Sequence, residues 1–186
     1  VKSRNVRAAY EEMKKKGVNI LTSPCANPAG KEHFFVMDPW NNIFDVESDD
    51  YCFIDEDKNT GGNNGATLGV SDMDKSVKFY SSIMDYDKVE YDVTDTFDDL
   101  KGVPGGQYKL RRVMLTRSKP IEGPLSHIMG TSHIELVQRI DEEGVPAPRK
   151  LYEGRLWGDP GFIHLCFDIR NMEKIREAAA QFGHEF

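Results

Sequence analysis

The sequence predicts an α+β fold made of repeated βαβββ modules with curved mixed sheets, one complete module being flanked by partial ones. The first observation is a capped helix that recurs at both ends of the chain. A cap residue and a terminating glycine stand 12 positions apart in Asn5–Gly17 and again in Asn171–Gly183. The second observation is a strand–cap–helix pattern that occurs at 65–84 and again at 162–183. Internal repetition of this kind indicates a fold built from repeated modules.

Composition excludes several classes of function. The 186 residues carry a net charge of −7, which argues against a nucleic-acid surface. No apolar run reaches transmembrane length and no secretory signal opens the chain, so we expect a cytoplasmic protein without a membrane partner. The three cysteines form no CxxC motif and are expected to be free thiols, with Cys166 buried in a strand.

The N-terminal part, 1–50, is predicted to be a module that lacks its first strand. A helix over 3–17 is capped by Asn5 and followed by strands at 18–22, 33–37 and 43–47. Asp38-Pro39-Trp40-Asn41-Asn42 has the residues of a tight hairpin turn. The acidic and then glycine-rich stretch 51–64 is predicted to be a linker.

The middle part, 65–140, is predicted to be the complete module. A strand at 66–71 precedes a helix that Asp72 caps, and strands follow at 88–93, 108–116 and 131–139. The stretches 94–106 and 117–130 are rich in Gly, Pro and Asp and are expected to be surface loops.

The last part repeats the beginning of a module. A polar connection over 141–160 contains Tyr152 and Trp157, which either line a substrate entrance or hold the loop onto the body. A strand at 162–169 and a helix capped by Asn171 make 161–186 the start of a further module. The front and back parts could associate into one composite module, or the chain could be a piece of a longer tandem protein.

Two strands that close modules contain an acidic residue, Asp45 in one and Glu135 in the other. A buried carboxylate without a partner is costly, so each should face water, a basic group or a metal. For Glu135, a salt bridge to Arg111 or Arg112 is the competing interpretation of a metal-ligand role. His133 shares the strand face of Glu135, whereas His33, like His127 and His184, is expected at the surface.

Three segments resemble the vicinal oxygen chelate superfamily, which includes glyoxalase I, bleomycin-resistance proteins and extradiol dioxygenases. The residues 70–80, VSDMDKSVKFY, are similar to its first strand and helix. The residues 38–45, DPWNNIFD, resemble its closing hairpin, with Asn41 for the usual Gly and Asp45 for the usual Glu. The residues 158–165, GDPGFIHL, resemble the start of a second module.

The resemblance implies a divalent metal (Zn, Ni, Mn or Fe) between paired modules, and no organic cofactor. It assigns His164, Glu135 and Asp45 as ligands, and Glu135 as the candidate catalytic carboxylate. The equivalent first-strand position of the middle module holds Gly65, which cannot bind a metal through a side chain.

Two functions of different class follow from the resemblance. The first is a metal-dependent lyase, isomerase or dioxygenase acting on a small oxygenated substrate. The alternative is a metal-free module that binds a small molecule, as resistance-type relatives do, or an inactive fragment of a longer tandem-module protein. A homodimer formed through module pairing fits either function.

Overall fold

The computed structural model describes residues 1–140, 144, 147–150 and 153–185. Its regular elements, in chain order, are β1 Lys2–Ser3, α1 Val6–Lys15, β2 Asn19–Ile20, β3 Cys25–Ala26, β4 Glu32–Met37, β5 Ile43–Ser48, β6 Gly65–Gly69, α2 Met73–Ile83, β7 Lys88–Asp95, a 3-10 turn at Asp98–Leu100, β8 Leu110–Thr116, α3 Ser126–Met129, β9 His133–Arg139 and α4 Met172–Gln181. No helix of this described part is long and apolar enough to cross a bilayer.

Two mixed sheets share one topology. The strand orders are β1-β5-β4-β2 and β6-β9-β8-β7, and β3 adds to β4 in the first sheet. In each sheet the first strand of the module runs parallel to the last, and the remaining neighbours are antiparallel. With one helix after each first strand, this is the βαβββ order twice, because the two-residue strands β2 and β3 both pair with β4 and share one place in the first sheet. The predicted fold class is confirmed.

The N-terminal module has a first strand, contrary to the prediction. Lys2–Ser3 pairs in parallel with β5. The Val1 amino group donates to the Asp45 carbonyl and the Glu47 N–H donates to the Val1 carbonyl, which extends the pairing by one residue. The strand is only two residues long, which is too short for any sequence periodicity to reveal. It forms because the neighbouring strand offers unpaired backbone groups, not because its own residues favour extended structure.

The register of this pairing is the same in both modules. Asp45 and Glu135 therefore occupy equivalent positions on β5 and β9. Lys2 lies opposite Glu47, and Gly69 lies opposite Val137. Lys2 and Gly69 each lie three residues before the helix cap of their module. Glu47 and Val137 each lie two residues after the carboxylate of their strand.

The helix caps are confirmed. The side chains of Asn5, Asp72 and Asn171 each accept a hydrogen bond from the backbone N–H three residues later. Each cap contributes about 1 kcal/mol to helix stability. Gly17 ends the first helix with φ +73°, the left-handed conformation that glycine adopts without strain. Asn41 also takes positive φ in the predicted hairpin, where the Asp38 carboxylate accepts backbone N–H groups.

Helices α1 and α2 each cover one face of their own sheet. Helix α1 packs on Phe34, Val36 and Val46, and α2 packs on the alternating residues of β8 and β9. The uncovered faces turn toward each other and share a third buried cluster. Phe35 of β4 and Leu110 of β8 meet there with Phe97 and Leu100 of the β7–β8 loop. The space between the sheets is where side chains of both modules converge.

The predicted strand at 162–169 is wrong. This segment shows no ladder pairing in the described chain, although its side chains alternate between partly buried and exposed. Leu165 and Phe167 rest on the core of the middle module, so the segment lies over side chains instead of beside a strand. Cys166 is on the outer side and exposed, which also corrects its predicted burial.

The composite module is likewise not formed within this chain. Residues 162–169 pair with none of the described N-terminal strands, because β1 already occupies the edge of β5. They contact that module at its hairpin end. There the Asn42 side chain accepts a hydrogen bond from the Phe162 N–H, and Phe162 packs edge-on against Phe44.

Candidate functional site

The candidate site lies between the two sheets. In β9, Ile134 and Leu136 point into the core beneath α2, so the alternation of a strand turns Glu135 toward the opposite sheet. The same alternation in β8 separates Arg111 from Arg112. Arg111 pairs with carboxylates on the outer side, whereas Arg112 enters the space between the sheets.

Glu135 is a fully engaged buried carboxylate, with only 3% of its surface exposed. Its Oε1 accepts hydrogen bonds from Arg112 Nε at 2.6 Å and from the Tyr91 hydroxyl at 2.6 Å. Its Oε2 accepts one from Thr67 Oγ1 at 3.1 Å. Both oxygens are thereby hydrogen-bonded, and the negative charge is neutralised by a guanidinium.

Arg112 joins Glu135 to a second carboxylate. Its Nη1 donates to Asp99 Oδ2 at 2.6 Å, and its guanidinium lies 4.7 Å from the centre of the Phe97 ring. Burial acts to lower the pKa of Arg112, but the charge of Glu135 and the other acidic neighbours raises it overall. The side chain is 1% exposed and is a permanent cation in the interior.

Asp99 enters the site from the β7–β8 loop. The prediction placed 94–106 at the surface, yet Phe97, Asp99 and Leu100 are buried. The loop folds inward because its apolar residues at 97 and 100 pack into the cluster between the sheets. The carboxylate of Asp99 lies between them and is buried with them. Burial raises the pKa of Asp99, but its basic neighbours His33 and Arg112 lower it overall.

His33 is completely buried, which corrects its predicted surface position. Its Nδ1 lies 3.0 Å from both carboxylate oxygens of Asp45, and its Nε2 lies 3.3 Å from Asp99 Oδ2. Burial acts to lower the pKa of His33, but the two carboxylates outweigh it and raise the pKa to about 9. His33 is therefore a second buried cation at neutral pH.

These residues form one continuous network, which we call the central network. Its members are Asp45, His33, Asp99, Arg112 and Glu135, with Tyr91 and Thr67 as hydroxyl donors. Cations and carboxylates alternate along it. Its two ends were predicted from the sequence, and Arg112 was one of two predicted partners for Glu135. His33 and Asp99 were not predicted, although His33 shares a strand face with Phe35.

A second buried polar cluster surrounds the carboxylate of Glu47. Its side chain accepts hydrogen bonds from Asn27 at 3.0 Å, from Lys31 at 3.0 Å and from Asn64 at 2.8 Å. His133 Nδ1 lies 3.9 Å away, and burial lowers the pKa of that imidazole. The cluster ties β5 to the segment before β6, and thus fixes how the two modules meet.

Comparison with known proteins finds similar solved structures only. No family model and no curated protein matches this sequence. Three solved structures of glyoxalase I from Zea mays, two of them mutant forms, match with TM-scores of 0.42 to 0.44 at 20 to 22% identity. They cover 75 to 78% of this chain, which itself spans only 41 to 42% of those proteins.

The predicted ligands are not gathered at one point. Glu135 and Asp45 both face the space between the sheets, but two cations and Asp99 lie between them in the network. His164 lies on the exposed outer side of 162–169, where it stacks on Trp157 with ring centres 5.6 Å apart. Tyr152 falls outside the described residues. The catalytic and metal-ligand roles stay predictions.

Gly65, the position without a ligand side chain, has a structural reason to be glycine. Its φ is +152°, and a Cβ at this position would collide with the carbonyl oxygen of His133 on the neighbouring strand. Close approach of two backbones therefore selects glycine here.

The donor set of the central network does not suit a divalent cation in this arrangement. Arg112 Nε already binds Oε1 of Glu135, and the positive charges of Arg112 and of a metal at Oε2 would repel. Across the described residues no group of three or more His, Cys, Asp or Glu side chains is arranged to hold a metal.

Proposed function

We propose that this paired module is a metal-independent small-molecule-binding module, not a metal-dependent lyase, isomerase or dioxygenase. One observation carries the proposal. The buried Arg112 guanidinium donates at 2.6 Å to Glu135, the carboxylate that the metal-dependent alternative requires as a ligand.

The electrostatics of this pair support the proposal. A buried carboxylate needs a compensating positive charge, and a metal is one way to supply it. Here the charge is covalently part of β8, and a guanidinium cannot be deprotonated to make room for a metal. Removal of one partner of a buried pair typically costs about 3–5 kcal/mol. A metal that displaced Arg112 from Glu135 would therefore bind more weakly by the cost of breaking this pair.

The equivalent carboxylate of the other module gives independent support. Asp45 faces His33, whose raised pKa keeps the imidazole protonated at neutral pH. A protonated imidazole supplies the Asp45 carboxylate with a positive charge from this chain. Both carboxylates that the resemblance names are thus matched to side-chain cations of this chain.

The binding role rests on the polarity of the interface between the sheets. Apolar and aromatic residues such as Phe35 and Leu110 pack there beside a small set of polar groups held by regular strands. Apolar walls with a few fixed polar groups are typical of small-molecule sites. The β7–β8 loop closes this space in the described structure.

Metal titration tests the proposal. Zn²⁺, Ni²⁺ and Mn²⁺ are titrated separately into metal-stripped protein by calorimetry, with wild type and Glu135→Gln compared. We expect no stoichiometric binding at the central network in either protein. Glu90→Gln, which alters a surface carboxylate on β7, is the matched control for nonspecific surface binding. One tightly bound ion per chain that Glu135→Gln alone abolishes would overturn the proposal in favour of the enzyme.

A further inference from the structure

We infer that the space between the sheets is a carboxylate-binding site whose present occupant is the protein's own Asp99, and that its external ligand is a small carboxylate that replaces Asp99. This inference rests on the proposed metal-independent binding function and names the chemical class of its ligand. The β7–β8 loop then acts as a lid, and the carboxylate of its Asp99 occupies the place of the ligand.

A buried arginine and a buried histidine converge on one oxygen of Asp99. Arg112 Nη1 lies 2.6 Å and His33 Nε2 lies 3.3 Å from Asp99 Oδ2. The two side chains come from β8 and β4, one from each module, so the site exists only where the two sheets face each other. Arginine and histidine side chains donate hydrogen bonds to carboxylates, and those of the charged guanidinium are the strongest.

Asp99 does not fill the site completely. His33 Nε2 is buried, yet it makes no hydrogen bond of good geometry to any described residue, Asp99 included. A buried polar atom left in this state is destabilising, because it has lost its hydrogen bonds to water. A carboxylate that is free to orient can satisfy Arg112 and His33 together, whereas the loop backbone constrains where Asp99 can place its oxygens.

The site does not depend on Asp99 for its construction. Each of these two side chains keeps a second carboxylate on a strand of its own module, Glu135 for Arg112 and Asp45 for His33. These strand carboxylates hold both side chains in position when the loop carboxylate leaves. Asp99 is the one carboxylate of the central network that belongs to a loop, and loops are the elements that move most readily.

The loop holds Asp99 by apolar contacts on both sides of it. Phe97 and Leu100 pack into the cluster between the sheets, and Gly102 lies so close to the Leu21 carbonyl that a side chain would not fit. An entering ligand must therefore compete with the carboxylate and with this packing. Truncation of the Asp99 side chain removes the first competitor and leaves the second in place.

Chemical rescue tests the inference. The urea unfolding equilibrium of Asp99→Ala is measured with sodium formate and with sodium chloride at equal ionic strength, beside wild type. At ten times its dissociation constant, a ligand specific for the folded state raises the folding equilibrium constant roughly elevenfold. We expect a rise of this order for formate in Asp99→Ala and a smaller formate-specific rise in wild type, because formate must displace Asp99 there.

Two further variants make the test specific. Asp99→Asn fills the same volume without charge, so formate should have no specific effect on it. Addition of Arg112→Met to Asp99→Ala should abolish the rescue, whereas addition of the neighbouring Arg111→Met should retain it. If Asp99→Ala is unfolded in buffer, formate but not chloride should restore its folding, as followed by circular dichroism.

The inference is overturned if formate affects Asp99→Ala no more than chloride does. It is also overturned if the rescue survives Arg112→Met. Metal titration of wild type is scored separately: a bound divalent ion there contradicts the proposed function itself. No metal binding together with no formate rescue contradicts only the carboxylate site.

Discussion

Arg112→Met should be among the most destabilising single substitutions in this chain. Methionine keeps much of the side-chain volume but leaves Glu135 and Asp99 buried without their shared cation. Removal of one partner from a buried pair costs about 3–5 kcal/mol. For a chain of this size that loss lowers the unfolding temperature by about 6–20 °C. Total stability of a native protein is only about 5–15 kcal/mol, so the variant should lie close to the limit of folding.

Equilibrium unfolding in urea, followed by far-ultraviolet circular dichroism, measures this loss. The control is Arg111→Met, which changes the adjacent residue on the opposite strand face. Arg111 bonds with partly exposed Asp92 and with exposed Asp74, and surface pairs of this kind contribute about 0–1 kcal/mol.

A double variant separates the ion pair from simple packing. Glu135→Gln combined with Arg112→Met removes both charges, so its cost should be smaller than the sum of the two single costs. The reasoning is refuted if Arg112→Met costs no more than Arg111→Met, or if the two central substitutions are additive.

Two other outcomes follow from the same geometry. The His33 pKa is about 9 in the folded protein and near 6.5 when unfolded, so its stabilisation is complete below pH 6.5 and is lost as pH rises through 9. This pKa difference should lower the free energy of unfolding in urea by about 3 kcal/mol between pH 6 and 10. His33→Gln should remove that part of the pH dependence. The same dependence of unfolding free energy on pH in both proteins would contradict this. Gly65→Ala should destabilise strongly because its Cβ collides with the His133 carbonyl, whereas Gly69→Ala has open space and should be nearly neutral. Comparable unfolding midpoints for the two glycine variants would refute the close approach.

Much of the fold could be predicted because its signals are local. The caps at Asn5, Asp72 and Asn171 each need only a side chain and a backbone N–H three residues away. The hairpin at 38–42 is likewise encoded in five consecutive residues, and the repeat follows from their spacing. Such short-range chemistry is legible without knowledge of what packs against it.

The elements that were missed depend on partners distant in the chain. Lys2–Ser3 is a strand only because β5 lies beside it, and 162–169 fails to be one because its alternating side chains rest on another module's core. In the site, the charged positions of Asp45 and Glu135 were visible. The burial of His33 and the inward fold of Asp99 arise from the packing of one module on the other, which no single segment encodes.

Metal content with chelator stability tests the central claim most directly. Protein purified from metal-supplemented medium is analysed for bound divalent ions, and its unfolding temperature is measured with and without EDTA. Because Arg112 supplies the positive charge at Glu135, we predict no stoichiometric ion and the same unfolding temperature in both conditions. One ion per chain, lost in Glu135→Gln and accompanied by a lower unfolding temperature in EDTA, would contradict the account.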